Sequence, residues 1–250
     1  MRSKVLDPVY HRKSWEEERQ IEVRAHLEGR GFYYSVKRGI DILVSLLVIV
    51  LVYSWIMPII ALLIKLDSRG PVFFLQKRVG FLGKVFWCYK IRTMVVNDMA
   101  DTRQASRYDP RITRVGKFLR DTCLDELPQF INVLLGHMSI VGPRPHMLKD
   151  SHEFSAVVSN YKFRNLVKPG ITGISQVRGY RGPATTFQSI FRRYQWDAYY
   201  VRNISLRLDV KIMTETAMLM VRSIFYKGRP MPAESHSIHR ESKNEAKKIA

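Results

Sequence analysis

Two adjacent carboxylates, Asp125 and Glu126, stand in the segment Thr122-Cys123-Leu124-Asp125-Glu126-Leu127-Pro128-Gln129, just ahead of an apolar helical pattern. Leu127, Phe130, Ile131, Leu134 and Leu135 fall at i, i+3, i+4, i+7 and i+8, one face of a helix, and Gly136 is placed to end it. Two helix starts are open. A cap at Thr122, with Asp125 completing a capping box, leaves Pro128 inside the helix, where it breaks a hydrogen bond. A cap at Asp125 puts Pro128 in the first turn, where N–H groups have no partner, and is favoured. The carboxylates then sit at the positive end of a helix, which favours their ionised form. An ionised Asp is a nucleophile or a metal ligand, and a hard cation such as Mg²⁺ takes one or two carboxylates plus substrate phosphate oxygens. Simple complementation of the helix dipole is the competing explanation. The neighbouring cations weigh against it. Arg114, Lys117 and Arg120 precede the pair, and Arg144 follows it in Gly142-Pro143-Arg144-Pro145, where two prolines restrain a guanidinium suited to phosphate oxygens. Carboxylates among fixed cations point to phosphoryl chemistry.

The elements that must position these residues begin with an apolar run. Residues 42–64 carry no charge, and their only hydroxyls are Ser45, Tyr53 and Ser54. As a straight helix the run is roughly 34 Å long, enough to cross a bilayer core. A buried soluble helix and a cleaved signal peptide fit it poorly, the latter because about 40 mostly polar residues come first. Pro58 lies within the run and disturbs the carbonyl of Ser54, whose hydroxyl is placed to help satisfy the backbone. Both flanks are basic, with Arg24, Arg30, Lys37 and Arg38 before and Lys65, Arg69, Lys77, Arg78 and Lys84 after. Basic flanks favour the cytoplasm. A re-entrant segment broken near Ser54 and Pro58, with both ends on one side, satisfies both facts; a kinked spanning helix stays open.

Composition narrows the function. The 250 residues hold 41 Lys+Arg against 22 Asp+Glu, a net charge of +19. Hydrophobic residues make up 46% and aromatics 11%, too many for a disordered polyelectrolyte. Two cysteines, Cys88 and Cys123, exclude a disulfide scaffold and a four-cysteine zinc site. The excess charge calls for an anionic partner. It is concentrated in residues 65–120, with 13 basic and 4 acidic residues, directly after the apolar run. Nucleic-acid binding explains the charge but neither the run nor the acidic pair. A membrane-anchored basic scaffold without catalysis explains the run and the charge, but not the pair.

The remaining pattern indicates an α+β chain, mostly helical. It divides into a polar arm (1–35, with a short amphipathic helix from Ser14 to Leu27), a membrane anchor (36–66), a catalytic domain (67–226) and a polar, disordered tail (227–250). Short strands are expected at Val72 to Gln76 and Val85 to Ile91, around a Gly80/Gly83 turn. An aromatic-rich helix is expected over 186–202. Leu206, Val210, Met213, Ala217, Met220 and Ile224 make a further helical stripe, suited either to a core or, beside Arg207, Lys211 and Arg222, to anionic headgroups.

These residues resemble the bacterial sugar transferases, the monotopic polyprenol-phosphate phosphoglycosyl transferases. The resemblance runs through Lys37-Arg38-Gly39-Ile40-Asp41, Gly70-Pro71-Val72-Phe73, Gln76-Lys77-Arg78-Val79-Gly80, Tyr89-Lys90-Ile91-Arg92-Thr93-Met94, the Asp125-Glu126 segment, Gly142-Pro143-Arg144-Pro145, Lys168-Pro169-Gly170-Ile171-Thr172-Gly173 and Asp197-Ala198-Tyr199-Tyr200-Val201, over about residues 36–225. It implies transfer of a sugar-1-phosphate from a nucleotide diphosphate sugar, UDP-linked for preference, to undecaprenyl phosphate. The nucleoside monophosphate is released and assembly of a surface glycan begins. It implies Asp125 as nucleophile, Glu126 as a ligand of Mg²⁺ (or Mn²⁺), Asp197 as a further acidic residue at the metal, and Lys90, Arg120 and Arg144 as phosphate-binding cations. It places the enzyme at the bacterial inner membrane, its catalytic domain on the cytoplasmic face among anionic lipids, with a homo-oligomer allowed. The family's anchor shows Ser just before Pro at its break; here Met57 precedes Pro58.

Overall fold

A computed structural model describes residues 29–98, 105–106, 109–184 and 186–225. The expected helix at Ser14 to Leu27 and the tail after Lys227 lie outside the described residues. A long apolar helix leads into a small α+β body in which helices dominate.

Helix α1 (Gly31–Val48) continues through a wide π turn (Ile49–Tyr53) into α2 (Ser54–Asp67). This 37-residue unit is the one helix among the described residues long and apolar enough to cross a membrane. Pro58 lies inside α2. Its missing N–H leaves the Ser54 carbonyl without the usual donor. The Ser54 hydroxyl does not attend to that carbonyl; it donates to the Val50 carbonyl, one turn earlier. Val50, Leu51 and Trp55 around the π turn are all exposed, Trp55 at 77%.

Both ends of the apolar helix pack on the same body. At the first end Arg38 donates to the carbonyls of Val133 and Leu134 (2.6 and 2.8 Å), and Asp41 accepts from Ser139 Oγ and the Ile140 N–H (3.1 and 3.0 Å). Lys37 and Tyr33 both reach Asp209 Oδ2 at 2.8 Å, while Tyr200 donates to Oδ1 at 2.7 Å. The Lys37-Arg38-Gly39-Ile40-Asp41 motif is therefore a docking strip. At the other end Ile60 and Ile64 bury against Ile91 and Leu119.

Strands β1 (Phe73–Val79) and β2 (Val85–Ile91) form an antiparallel hairpin with Phe73 opposite Ile91 and Val79 opposite Val85. Strand β1 runs three residues past the expected Gln76, because pairing with β2 extends to the turn. Helix α3 (Arg114–Asp121) starts at Thr113, whose Oγ1 accepts from the Gly116 N–H at 2.9 Å. Asp67 at the end of α2 accepts from the Val115 N–H at 3.0 Å, so the anchor caps the next helix. A one-turn 3₁₀ segment (Leu124–Glu126) and the short α4 (Gln129–Leu134) follow, then β3 (Ser139–Val141) and α5 (Leu148–Val157). A second 3₁₀ segment (Tyr161–Leu166) leads to β4 (Gly170–Thr172), parallel to β3, and then α6 (Ile174–Val177), α7 (Phe187–Arg202) and α8 (Leu206–Phe225). The main core gathers Val133, Met138, Val141, Ile174, Tyr200, Val201 and Ile212, with Tyr33, Tyr34 and Val44 of α1 against it.

The stripe read on α8 only partly meets the core: Met213 packs against it. Ile212 and Asp209 are buried, whereas Val210 and Met220 are exposed at 49% and 38%. Polar Asp209 takes the inward position because three donors meet it there.

A carboxylate–cation centre as candidate active site

Neither helix start considered for the acidic pair occurs. Thr122 ends α3, its hydroxyl donating to the Phe118 carbonyl at 2.8 Å, and Asp125 and Glu126 lie on the 3₁₀ turn ahead of α4. The reason is local. A cap at Asp125 would bond the N–H two or three residues on, and the third is Pro128, which has none. The α-helix begins only after Pro128, and Gly136 (φ 80°) follows its end as expected. Cys123 takes φ 59°, a left-handed conformation uncommon outside glycine, and so turns the chain sharply from α3 into the acidic pair.

Three elements converge on this turn. Asn132 of α4 accepts from the Tyr89 N–H at 2.9 Å and donates to the Trp87 carbonyl at 2.7 Å, which fixes the turn against β2. Lys90 of β2 then reaches Glu126 Oε1 at 2.9 Å. Arg144 approaches from the loop after β3 and grips Glu126 as a fork, one nitrogen on Oε1 and the other 3.2 Å from Oε2. Arg120 of α3 bonds Thr93 Oγ1 at 2.8 Å. Helix α3 can approach Thr93 only because Gly116 lacks a side chain; a Cβ there would stand 2.0 Å from the Thr93 carbonyl oxygen.

The Arg144 loop is held from behind. Arg78 donates to the Pro145 carbonyl at 2.9 Å, and Arg164 donates to the Arg144 carbonyl at 2.6 Å. Gly142 packs backbone to backbone on β4, where a Cβ would lie 2.3 Å from the Lys168 carbonyl oxygen. His146 is buried next to Arg144; its Nδ1 meets the Tyr161 hydroxyl at 2.6 Å. Burial and the nearby Arg164 hold the His146 pKa well below its usual value, so the imidazole is neutral.

The two carboxyls differ sharply. Burial opposes ionisation of Glu126, but the charges of Arg144 and Lys90 outweigh it and hold its pKa well below the usual carboxylate range. Asp125 makes no hydrogen bond among the described residues. Burial, joined by the Glu126 charge, pushes its pKa up to about 6 against the pull of Lys90, Arg120 and Arg144. One carboxylate is clamped; its neighbour is unengaged and mostly ionised at neutral pH.

Lys90, Arg120, Arg144, Asp125 and Glu126 are thus brought together. Asp197 is not joined to them: it is 1% exposed, pairs with Arg164 at 2.8 Å, and has no hydrogen bond or ion pair to Glu126 among the described residues. No group of three or more His, Cys, Asp or Glu side chains able to hold a metal occurs among the described residues. The donors fit a hard cation that takes one or two protein carboxylates and completes its shell with phosphate oxygens, since Glu126 Oε2 accepts only one long bond and Asp125 is free. Sequence reasoning missed Asn132, Arg164 and Arg181. Arg181 approaches Cys123 Sγ at 3.8 Å. None of the three stands in a pattern whose spacing announces chemistry.

The fold and site thus define a class: a long apolar helix docked at both ends on an α+β domain that carries a carboxylate pair among phosphate-type cations. The family model of the bacterial sugar transferases matches residues 32–223. The chain is 46% identical over 184 residues to a UDP-glucose:undecaprenyl-phosphate glucose-1-phosphate transferase of Klebsiella pneumoniae, covering 73% of this chain and 39% of the relative. It is 43% identical over 188 residues to an exopolysaccharide production protein of Rhizobium leguminosarum bv. phaseoli, covering 73% and 94%. To a UDP-N-acetylgalactosamine-undecaprenyl-phosphate N-acetylgalactosaminephosphotransferase of Aeromonas hydrophila it is 41% identical over 220 residues, covering 84% and 51%. The chain belongs to the bacterial sugar transferase family. It spans about two fifths of the length of the glucose-1-phosphate transferase from Klebsiella.

Proposed function

We propose that this chain transfers a sugar-1-phosphate from a UDP-sugar to undecaprenyl phosphate through a covalent intermediate on Asp125. The observation that carries the reading is the asymmetry of the pair: Glu126 is held by Lys90 and Arg144, while Asp125 beside it is unbonded and ionised at neutral pH. In the first step an Asp125 carboxylate oxygen attacks the sugar-bearing phosphorus. The bond from that phosphorus to the bridging oxygen breaks, and nucleoside monophosphate leaves with the electron pair. In the second step an oxygen of undecaprenyl phosphate attacks the same phosphorus, and the bond to Asp125 breaks. One diphosphate linkage is lost and one made. Anions must meet an anion at each step, so Lys90, Arg120 and Arg144 serve to offset repulsion and to stabilise charge on the transferred group. Mg²⁺ or Mn²⁺, held by Glu126 and substrate phosphate oxygens, would add Lewis-acid neutralisation of the diphosphate.

The re-entrant reading of residues 42–64 is supported by the docking of both helix ends. A straight helix would separate Arg38 and Ile64 by roughly 39 Å. Yet Arg38 docks on α4, which Asn132 ties to Tyr89, and Ile64 docks on Ile91, two residues further along β2. A break at the π turn and Pro58 accommodates this and leaves both ends on one face, the basic, cytoplasmic one. The product, a lipid-linked sugar, is the first intermediate of a surface glycan such as an exopolysaccharide. The test is mass spectrometry of the protein during turnover of UDP-glucose without lipid acceptor. A glucose-phosphate adduct on Asp125 is expected; full turnover by Asp125→Asn refutes the assignment.

A further inference from the structure

The loop between α6 and α7 is tied down at two points: Arg178 lies over the Trp196 ring at 5.3 Å, and Arg193 donates to the Gly182 carbonyl. Between them the loop carries Arg181 to Cys123, two residues before Asp125. The only partner of the Arg181 guanidinium among the described residues is the Cys123 sulfur, at 3.8 Å, and its Nε is buried with none. A thiol is a weak acceptor, while a guanidinium carries five donors in a rigid fork. Lys90 and Arg144 spend their donors on Glu126; Arg181 does not. The thiol it touches is buried among the charges of Glu126, Asp125 and Arg144 as well, so the unpaired donors stand at the edge of the centre.

We propose that Arg181 is a phosphate ligand of this centre, a fourth cation held in reserve for substrate where the others are partly committed to protein. The assignment rests on the transferase reading above. The phosphate belongs either to the nucleotide sugar or to the polyprenyl lipid, and binding measurements separate the two. In an Asp125→Asn background, which blocks turnover, UDP-glucose and a water-soluble short-chain polyprenyl phosphate are titrated by calorimetry onto the full chain, with and without Arg181→Gln. Loss of a forked, charge-assisted contact weakens one ligand by about 10- to 100-fold. Weakening of UDP-glucose places Arg181 on the nucleotide side; weakening of the polyprenyl phosphate places it on the acceptor side. Affinities for both ligands within about twofold of the parent overturn the proposal. Cys123→Ala removes the packing partner but not the cation and is expected to leave both affinities unchanged; a loss matching that of Arg181→Gln makes Arg181 a prop for the turn and also overturns it. If Arg181→Gln does not fold, Arg181→Lys keeps the charge without the fork and is judged by the same criterion. A wild-type enzyme that binds UDP-glucose but releases no nucleotide refutes the transferase reading itself, whereas unchanged affinities beside intact nucleotide release by the wild type refute the Arg181 assignment alone.

Discussion

Asp125 and Glu126 are neighbours in sequence and opposites in state. Cations bound to one carboxylate keep it ionised; burial without a partner pushes the other up to about 6. An acid raised in this way is protonated below that value, so a nucleophilic Asp125 loses activity as pH falls through about 6 and reaches a plateau above it. A pH profile of UMP release checks this. The same shift sets a stability effect of opposite sense. Asp125 holds a proton more tightly folded than unfolded, so its favourable contribution is present at low pH and is lost as pH rises through about 6. Asp125→Asn is therefore expected to be inactive yet more stable than the parent at pH 8, by on the order of 1–3 kcal/mol, with the gain vanishing at low pH. Melting curves at about pH 3, below the unfolded carboxyl's pKa, and at pH 8 measure it. Arg144→Lys keeps a charge but loses the fork on Glu126, and kcat is expected to fall by about 100-fold.

At the scale of elements, short segments are held in place by contacts distant in sequence. Asp209 on α8 collects Tyr33, Lys37 and Tyr200, and so joins the first apolar helix to α7 and α8. Asp209→Ala leaves Lys37 and the half-buried Tyr33 hydroxyl without their acceptor, and Tyr200 with only the Val141 carbonyl at 3.2 Å. It is expected to cost about 3–5 kcal/mol, the range for breaking a buried ion pair. Denaturant unfolding in detergent reads the loss, and an unchanged midpoint contradicts the latch. Glycine performs the converse service where backbones touch. Gly142→Ala would drive a Cβ into the Lys168 carbonyl and displace the loop that carries Arg144, so activity should fall more steeply than secondary structure seen by circular dichroism.

For the whole molecule the proposed function requires that an anionic lipid phosphate reach a buried carboxylate. An apolar helix whose two ends dock on one body holds the site at headgroup depth if its middle dips into the lipid and returns. Cysteines placed at residues 30 and 75 are then on the same side. Both should resist a membrane-impermeant thiol reagent applied to the periplasmic face and react after permeabilisation. Labelling of only one from that face would establish a spanning helix.

The carboxylate–cation cluster and the long apolar helix were legible in the sequence because they depend on residue types in short, rigid contexts: adjacent acids before a proline, an arginine between prolines, an uncharged run too long for most cores. The hairpin, the aromatic helix and the end of α4 at Gly136 were legible because local propensity and turn residues decide them. The start of α4 was not, since the missing N–H of Pro128 outweighed a favourable capping pattern. Nor was the inward face of α8, because a buried aspartate with three donors from distant elements overrides apolar periodicity. Only the tertiary structure could separate a clamped Glu126 from a free Asp125, set Asp197 behind Arg144 on Arg164, and bring Arg181 across 58 residues to Cys123. Charge, burial and hydrogen bonding act through space, and a sequence lists neighbours along the chain alone.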